Sequence, residues 1–523
     1  MGTFRLVRDG GQGLVAAAAV ALGAGLVVGL GVGHGVRWLL AGRSRVLEAS
    51  LAGLLLAALG GAQLTGGQVA WPADAAGSAT AARPNVILVI ADTLRADFLR
   101  HDVKAASSLT PHLDAFAREA IRFERMYANS SWTRPAVASI HTGRLPDGHG
   151  VVSKVSPLPP DLPTLATELR KAGYATAASV TNVNLAEDFG FGRGFDAYHY
   201  HPPVRPLGAR GPAVRLSLIN GVRLVEERLT RALRPERFYA PASAINRTAS
   251  ELLDHLGDGP FFLWVHYMDA HDPYFHWPLD GRGIARVQDP HPPPEQAATM
   301  RALYEGEIRH WDAAFGSFLE ELRRRGLLDR SIVVVTADHG EEFQDHGGYW
   351  HGQTLFDELT RVPLLIRLPG GAGGGQVDRH LASQVDILPT VLARLGLGVP
   401  PGVDGTDLLA EESGGETERA VIMEVDHDGM VLSGVVWDRY KYVRANPGNW
   451  RGLPEQALYD LEADPGEHRN LAPERPEEVE EVAALLDGHR RRGDASDGAS
   501  QGTAPVELDT SLQEDLKALG YIQ

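Results

Sequence analysis

Two carboxylates, one imidazole and one hydroxyl occupy positions from which they could share a metal ion. Asp92 directly follows one continuous apolar run of the chain, and Asp338 and His339 follow closely after another. With the hydroxyl of Thr133, these side chains would supply four ligands to a hard-to-borderline divalent cation. Such a cation would lower the pKa of the threonine hydroxyl and make it a nucleophile, and it would offset charge on an anionic ester.

The hydroxyl of Thr133 lies where a helix is expected to begin, in the stretch SSWTRPAVASIHTGRLPDGHG at residues 130–150. Pro135 suits the first helical turn, and Gly143 is a common type of residue at a helix end. Free N–H groups at a helix start attract anions, so an anionic ester could sit beside this hydroxyl. The alternative interpretation is that Thr133 only caps the helix, a frequent role of threonine at this position.

Three further histidines, His271, His346 and His351, are available for substrate oxygens or for proton transfer. They stand in stretches rich in acidic residues and glycine, near the ends of expected strands. We assign all three to substrate binding, and His271 and His351 also to catalysis. The alternative for any single histidine is a structural or solvated side chain.

The elements that must position these residues alternate between strands and helices. Continuous apolar runs predict strands at residues 86–90, 175–180, 261–266, 332–336 and 362–368. Apolar residues at helical spacing predict helices at residues 110–122, 162–172, 244–256, 300–325 and 385–395. The alternation indicates an α/β fold with a mostly parallel central sheet flanked by helices. In such sheets ligands gather at the carboxyl ends of the strands, where the candidate residues stand.

Composition limits what the chain could bind. The 523 residues carry a formal net charge of −17, which argues against nucleic acid as a partner. Hydrophobic residues make up 44% of the chain and charged residues 22%, so a sizeable core is expected. The sequence contains no cysteine, which excludes disulfides, thiolate metal sites and a cysteine nucleophile.

The first part of the chain contains two apolar runs, at residues 13–33 and 46–66. Each is about as long as the ~20 residues that cross a bilayer, and the link between them is rich in arginine. The positive-inside rule places that link in the cytoplasm, so the rest of the chain would be membrane-anchored and extracytoplasmic. The alternative is a cleaved signal peptide, which also places the body of the protein outside the cytoplasm.

The predicted domain plan begins with a membrane-anchor region of two apolar helices and ends with a flexible tail. Short strands from residue 420 onward predict a small antiparallel C-terminal subdomain with one charged helix. An arginine-rich insertion could touch a membrane surface or an anionic substrate, although a solvated insertion is the favoured alternative. The bounds are 1–67 for the anchor region, 68–84 for a linker, 85–415 for the catalytic domain with its insertion at 202–241, 416–492 for the C-terminal subdomain, and 493–523 for the tail with its short terminal helix.

Several motifs, taken in order, give the chain a family resemblance. It resembles the sulfatase family of the alkaline phosphatase superfamily over about residues 85–472. The resemblance implies a metal-dependent esterase of that fold, with a covalent intermediate on Thr133. It also implies Asp92, Asp338 and His339 as metal ligands, with His271 and His351 around the ester group. The motifs are NVILVIADTLRAD from residue 85, TRPAVASIHTGRLPDGHG from 133, HYMDAHDPY from 266, TADHGEEFQDHGGYWHG from 336, RVPLLIRLPG from 361 and LYDLEADPGEHRNLA from 458.

The chain departs from the family pattern at several site positions. Sulfatases usually carry Cys or Ser at the position of Thr133 and oxidise it to formylglycine, whereas a threonine would give a ketone. Thr93, Val137 and His351 stand where Asp, Arg and Lys are usual, and His339 stands where Asn or Gln is frequent. The set is more similar to the branch with a threonine nucleophile, which includes phosphodiesterases and membrane enzymes that transfer phosphoethanolamine or glycerophosphate.

Imidazole ligation favours zinc or manganese for the one expected divalent ion, with calcium or magnesium as the other candidates. We therefore expect a sulfatase-like hydrolase of sulfate or phosphate esters with Thr133 as the nucleophile. The alternative within enzymes is a phosphotransferase or phosphodiesterase that modifies a lipid or an envelope glycan. The alternative of another class is an inactive binding protein that retains the fold.

Overall fold

The computed structural model of the chain describes residues 83–99, 108–204, 233–257, 259–410, 419–495, 505–506, 508, 510–519 and 521. The predicted membrane helices at 13–33 and 46–66, and most of the predicted insertion at 202–241, lie outside these residues. Within the described part of the chain, no helix is both long and apolar enough to cross a bilayer.

The strands of the described residues form one large sheet, one four-stranded sheet and two short hairpin-like pairs. In chain order they are β1 (Asn85–Ala91), β2 (Ile121–Tyr127), β3 (Ala175–Val180), β4 (Ala197–Tyr200), β5 (Phe261–Tyr267), β6 (Tyr274–Phe275), β7 (Gly283–Ile284), β8 (Ser331–Thr336), β9 (Glu342–Phe343), β10 (Tyr349–Trp350), β11 (Leu364–Arg367), β12 (Val377–Ser383), β13 (Ala420–His427), β14 (Met430–Trp437), β15 (Tyr440–Ala445) and β16 (Gln456–Asp460).

The α-helices are interleaved with the strands of the large sheet, and short 3₁₀ turns such as Val183–Leu185 follow several strand ends. In chain order the α-helices of the described residues are α1 (Pro111–Ala117), α2 (Thr133–Thr142), α3 (Pro146–His149), α4 (Leu165–Lys171), α5 (Ala242–His255), α6 (Ala297–Arg324), α7 (Asp357–Thr360), α8 (Ile387–Arg394), α9 (Pro476–Ala495) and α10 (Thr510–Ala518).

The large sheet has the strand order β12-β2-β11-β8-β1-β5-β3-β4 in the described chain. β1 lies at its centre and pairs in parallel with β5 on one side and β8 on the other. Every residue of these three strands is buried, as expected for strands covered by helices on both faces. The prediction of an α/β fold with a mostly parallel sheet is therefore confirmed.

Three features of this sheet differ from the sequence prediction. The helix expected at 110–122 ends at Ala117, and the strand β2 begins four residues later. β2 alternates between buried and partly exposed side chains, so it lacks the continuous apolar run by which β1, β3, β5 and β8 were recognised. The strand expected at 362–368 is the shorter β11, which runs antiparallel to both of its neighbours. The strand β12, beyond β2, was not predicted.

The C-terminal part of the chain forms the expected small antiparallel sheet, in the order β13-β14-β15-β16. The helix α9 packs against it through Val482 and Leu486, which are fully buried. Beyond α9, the described part of the terminal segment is also packed: Leu516 and Leu519 of the α10 segment belong to the main hydrophobic core. The last described residue, Tyr521, is buried as well.

Candidate active site

The candidate site lies at the carboxyl edge of the parallel strands, where the topology brings distant parts of the chain together. Asp92 directly follows β1, and Asp338 comes two residues after β8. His271 follows β5, and Asn182 follows β3 on the other side of β5. Because these parallel strands all end at one edge of the sheet, the side chains after them converge there.

Asp92, Asp338 and His339 form a group that could hold a metal ion. One ligand atom from each residue lies within 4.8 Å of the others, and all three residues are fully buried. The distance between His339 Nε2 and Asp338 Oδ2 is 3.4 Å, and that between His339 Nε2 and Asp92 Oδ1 is 3.9 Å. This convergence is the one expected from the sequence.

The hydrogen bonds of these residues leave the atoms that face one another free. Asp92 Oδ1 and Asp338 Oδ2 are buried without a hydrogen-bond partner, whereas their other oxygens accept hydrogen bonds. His339 Nδ1 donates to the carbonyl of Gly340 at 2.8 Å, so its Nε2 carries the lone pair that a metal would use. The free atoms, two oxygens and one nitrogen, form a donor set that fits a divalent cation.

Electrostatics also favours a cation at this group. Burial, reinforced by the charge of Asp338, raises the pKa of the Asp92 carboxyl well above its ordinary value. Burial likewise raises the pKa of Asp338, while His339 and backbone N–H groups oppose that shift. Two buried carboxylates at such proximity repel each other unless a positive charge is shared between them. A bound cation would supply that charge and keep both acids ionised.

Thr133 is directed at this group and does not cap its helix. It is the first residue of α2; Trp132 occupies the capping position and makes no side-chain capping bond. The Oγ1 atom of Thr133 lies 3.3 Å from His339 Nε2 and 3.4 Å from Asn182 Nδ2. Since the hydroxyl is fully buried and turned toward the metal-binding group, the capping interpretation lacks structural support.

His271 and His351 lie beside the group, and each has one ring nitrogen fixed by a hydrogen bond. His271 Nδ1 donates to the carbonyl of Asp272 at 2.6 Å. His351 Nδ1 is 3.0 Å from Glu341 Oε1, and its Nε2 is buried without a partner. Burial lowers the pKa of both imidazoles, that of His271 to about 3. Each imidazole is therefore neutral, with the lone pair on Nε2, where it can accept a hydrogen bond.

His346 lies apart from these residues. Its Nδ1 contacts Glu358 Oε1 at 2.7 Å, and its Nε2 contacts the carbonyl of Gly466 at 3.1 Å. Its ring also stacks on Phe356 with centroids 3.6 Å apart. Both nitrogens are thus used to join neighbouring segments of the fold, and the structure does not bring His346 to the substrate-binding position assigned to it from the sequence.

Sequence analysis missed two residues that contact the members of the candidate site. Asn182 donates from Nδ2 to Asp92 Oδ2 at 2.6 Å, and it lies two residues beyond a predicted strand, a position that could have drawn attention to it. Glu341 fixes His351 while accepting a hydrogen bond from the hydroxyl of Tyr274 at 2.6 Å. Both glutamates of the ADHGEEF stretch are buried, and the sequence gave no sign that Glu341 would contact His351 whereas Glu342 pairs with Arg451.

Comparison with known proteins assigns the chain to a family. The profile of the Sulfatase family matches residues 84–397, and the profile described as N-sulphoglucosamine sulphohydrolase, C-terminal, matches residues 345–490. Choline-sulfatase of Rhizobium meliloti (strain 1021) is 27% identical over 455 residues, which cover 78% of this chain and 86% of that protein. Arylsulfatase A of Bos taurus is 30% identical over 464 residues, again covering 78% of this chain and 86% of that protein.

Solved structures share the fold. The 2-O GAG sulfatase BT1596 superposes with a TM-score of 0.61 at 20% identity, over 79% of this chain and 93% of that one. The phosphonate monoester hydrolase SpPMH from Silicibacter pomeroyi superposes with a TM-score of 0.59 at 23% identity, over 82% of this chain and 97% of that one. Since the Sulfatase profile spans more than half of the chain, this protein belongs to the sulfatase family of sulfuric ester hydrolases.

Proposed function

We propose that this protein is a metal-dependent hydrolase of sulfate or phosphate esters in which Thr133 is the nucleophile. The observation that carries the proposal is the direction of the Thr133 hydroxyl, which points at His339 Nε2 within the group of Asp92, Asp338 and His339. A threonine that served only the helix would turn its oxygen toward backbone N–H groups of α2.

The residues of the candidate site would bind the cation and orient the nucleophile. Asp92, Asp338 and His339, with Thr133, would hold one divalent ion, and the imidazole ligand favours zinc or manganese over calcium or magnesium. The ion when bound supplies positive charge that lowers the pKa of the threonine hydroxyl and offsets the charge of the ester. Asn182 fixes Asp92 and lies beside Thr133, so it orients both the ligand and the nucleophile.

Proton transfer falls to the histidines around the nucleophile. Attack by Thr133 Oγ1 forms a bond to sulfur or phosphorus while the bond to the ester oxygen breaks, and the threonine proton passes to the departing alcohol, which leaves a covalent threonine ester. Water then attacks the same central atom while the bond to Thr133 Oγ1 breaks. His351 Nε2, whose ring Glu341 holds through Nδ1, is placed to pass the water proton to the threonine oxygen. Arg286 contributes positive charge near His351 and attracts the anionic substrate toward the site.

The decisive experiment replaces Thr133 and measures turnover in the metal-loaded protein. The substrates are 4-nitrophenyl sulfate, 4-nitrophenyl phosphate, bis(4-nitrophenyl) phosphate and a phenylphosphonate ester, each with added zinc, manganese, magnesium or calcium. Thr133→Ala should lose nearly all turnover while retaining the metal, and Thr133→Ser should keep part of it because a hydroxyl remains. The matched control is Thr142→Ala, at the other end of the same helix, whose hydroxyl donates to the carbonyl of Ala138.

Substantial turnover by Thr133→Ala with metal still bound would contradict the proposal, because a bound water would then be the nucleophile. Mass spectrometry of wild-type protein quenched during turnover should detect a sulfated or phosphorylated threonine at position 133. An inactive binding protein would instead bind the esters and release them unchanged with every metal.

A second candidate, transfer of the group to an alcohol, differs only in the acceptor. Two grounds favour phosphorus esters among the substrates: a phosphonate monoester hydrolase shares the fold, and this chain carries a threonine at position 133. The 2-O GAG sulfatase and the choline-sulfatase favour sulfate esters of glycans or small alcohols. Adding glycerol or a sugar during turnover distinguishes the two reactions, since a transferase would form a new ester in proportion to the acceptor.

We also propose that the catalytic part is anchored in a membrane and lies outside the cytoplasm, on the grounds of the two apolar runs and the arginine-rich link. A reporter that fluoresces or reacts only in the cytoplasm, fused after residue 523, should stay silent. Activity of that reporter would contradict the proposed orientation.

A further inference from the structure

Arg134, the residue after Thr133 in α2, is an arginine that is buried without an acidic partner. The residue is 0% exposed. In the described part of the chain, its guanidinium donates to three oxygens, none of which belongs to a carboxylate. Arginine is rarely buried so completely unless an acid compensates its charge. Such a costly side chain, directly beside the proposed nucleophile, indicates a role in the site.

The guanidinium holds one asparagine by both its side chain and its backbone. Arg134 Nη2 donates to Asn184 Oδ1 at 2.7 Å, and Nε donates to the backbone carbonyl of Asn184 at 3.3 Å. Nη1 donates to the carbonyl of Ser153 at 3.2 Å. The Cζ atom also lies 3.6 Å from the centre of the Phe189 ring, a contact that favours a cation. Arg134 therefore fixes Asn184 against the start of α2.

Asn184 in turn orients Asn182, which begins the Val183–Leu185 turn. The N–H of Asn184 donates to Asn182 Oδ1 at 2.9 Å and so caps that turn. Because Oδ1 is used as an acceptor on this side, the Nδ2 group of Asn182 faces the other way. There it donates to Asp92 Oδ2 at 2.6 Å and lies 3.4 Å from Thr133 Oγ1.

These contacts form a closed loop around the nucleophile. The loop runs from Thr133 through the peptide bond to Arg134, then through Asn184 and Asn182, and back to Thr133. All four residues are buried, and α2 packs against the turn that carries the two asparagines. In a closed loop each bond limits the freedom of the next, so the start of α2 and the turn after β3 keep one relative position. That position sets where Asn182 meets Asp92.

We propose that Arg134 is a positioning residue that acts through Asn184 and Asn182 to hold Asp92 and Thr133 in place, an inference that deepens the proposed function and rests on it. The role depends on the shape of the guanidinium, whose fixed fork of N–H groups reaches both oxygens of Asn184. A lysine would keep the positive charge, but its single ammonium group lacks this fork.

The test compares Arg134→Lys with the wild-type full chain. Because supporting groups of this kind are worth ~10–100-fold in metal affinity or activity, kcat at saturating metal should fall by that factor. KM should stay within about twofold of wild type, since no contact with the substrate is removed. Titration with zinc or manganese in the absence of any ester should show a ~10–100-fold weaker affinity, because Asn182 no longer holds Asp92 firmly.

Arg367→Lys is the matched control, because Arg367 is also a buried arginine. Its Nη1 donates to the carbonyl of Leu328 at 2.8 Å. In β11 it pairs with Val333 near the start of β8, whereas the site follows the end of that strand. This control should lose stability and keep the wild-type kcat and metal affinity. Equal losses of kcat in Arg134→Lys and Arg367→Lys would show a general effect of instability and would overturn the proposal.

A double-mutant cycle tests whether Arg134 acts through Asn182. The variant with both Arg134→Lys and Asn182→Ala should lose no more activity than Asn182→Ala alone. Fully additive losses would overturn the proposal. A raised KM with unchanged kcat would also overturn it, because the guanidinium would then serve to bind the substrate.

Asn184→Ala breaks the same link from the other side and serves if Arg134→Lys does not fold. It removes the oxygen to which Arg134 Nη2 donates, so kcat and metal affinity should both fall. Unchanged values of both would contradict the proposal. If the wild-type protein cleaves none of the esters, the proposed function fails, and the metal titrations still decide the role of Arg134. An active wild type with unaffected Arg134→Lys defeats the positioning role alone.

Discussion

At the scale of single residues, the two buried acids of the site should make the stability of the protein depend on bound metal. Burial, reinforced by the charge of Asp338, raises the pKa of the Asp92 carboxyl, and burial raises that of Asp338, so the ionised form of each acid is disfavoured when no cation is present. With a cation shared between them, the same two charges become attractive partners. The site is therefore unfavourable for folding by itself and becomes favourable when it is loaded.

Replacing one of these acids should stabilise the metal-free protein and destabilise the metal-loaded protein. We expect Asp338→Asn to raise the free energy of unfolding of the metal-free protein, because one buried charge is removed. In excess zinc or manganese the same variant should be less stable than wild type, since ligand binding stabilises only the protein that binds. Its metal affinity should fall by more than the ~10–100-fold that is typical of losing a supporting partner.

Chemical denaturation with and without a chelator measures the change in the free energy of unfolding in the metal-free and the metal-loaded protein. Metal analysis after dialysis measures binding. Asp97→Asn is the control, since Asp97 is an exposed acid that pairs with Arg95 outside the site. Equal destabilisation of Asp338→Asn in both conditions would contradict the role of this acid as a metal ligand.

Some residues of the candidate site could be predicted from the sequence, and others could not. Asp92, Asp338 and Thr133 could be identified because each follows a recognisable strand end or helix start. His346 could not be distinguished from His351 in the same stretch, because the direction of each ring depends on contacts made after folding. Tyr521, whose hydroxyl contacts His271, was out of reach for a stronger reason: its place is set by packing between segments that are remote in sequence.

At the scale of elements, the turn after β8 carries the site because the backbone is packed closely around it. The N–H of Gly340 donates to the carbonyl of Leu359 at 2.9 Å, and its own carbonyl accepts from His339 Nδ1. A Cβ added at Gly340 would lie 2.0 Å from the carbonyl oxygen of Glu358, a separation that no packing allows. This glycine therefore sets the distance between the turn and α7, and it also orients the His339 ring.

Gly340→Ala should push the turn away from α7 and misplace His339. Overpacking of this kind costs ~1–3 kcal/mol of stability. Metal affinity and turnover should fall together with stability, since the ring that provides Nε2 hangs from this turn. Gly398→Ala is the control because an added Cβ there meets nothing within 4 Å. Thermal denaturation and metal titration of both variants test the prediction, and unchanged metal affinity in Gly340→Ala would contradict it.

Strands could be predicted from the sequence where burial on both faces gives them a continuous apolar run. β1, β5 and β8 are buried on both faces and read as continuous apolar runs, so their places and the parallel sheet followed directly. β2 and β12 lie beyond β11 toward one edge of the sheet and are only partly buried, so their composition resembles that of surface segments. The reversed direction of β11 depends on strand pairing across the sheet, which no local pattern encodes.

At the scale of the whole molecule, a buried lysine joins the C-terminal sheet to the segment that supports the site. Lys441 of β15 is fully buried; its Nζ lies 2.5 Å from Asp357 Oδ1 at the start of α7 and 2.8 Å from Glu467 Oε1. The same α7 packs against the turn at Gly340, so the C-terminal sheet reaches the site through these contacts. The ammonium group holds two acids together that would otherwise repel each other.

Removing the lysine should leave those acids uncompensated. Breaking a buried ion pair on one side costs ~3–5 kcal/mol, so Lys441→Met should lower the free energy of unfolding by about that amount at pH 8. The loss should be smaller at pH 5. Burial raises the pKa of Glu467 to about 7 even with Lys441 present, and loss of the lysine raises it further. An acid with a raised pKa in the folded state is neutral below that pKa and destabilises the fold only as the pH rises through it.

Urea denaturation of Lys441→Met at the two pH values measures both the size and the pH dependence of the effect. The matched control is Lys171→Met, which removes an exposed lysine paired with Glu168 on α4 and should change stability by less than ~1 kcal/mol at either pH. A loss that is equal at pH 5 and pH 8 would show that packing of the lysine stem, and not its charge, joins the sheet to α7. The charge interpretation requires the variant to regain stability as Glu467 becomes protonated.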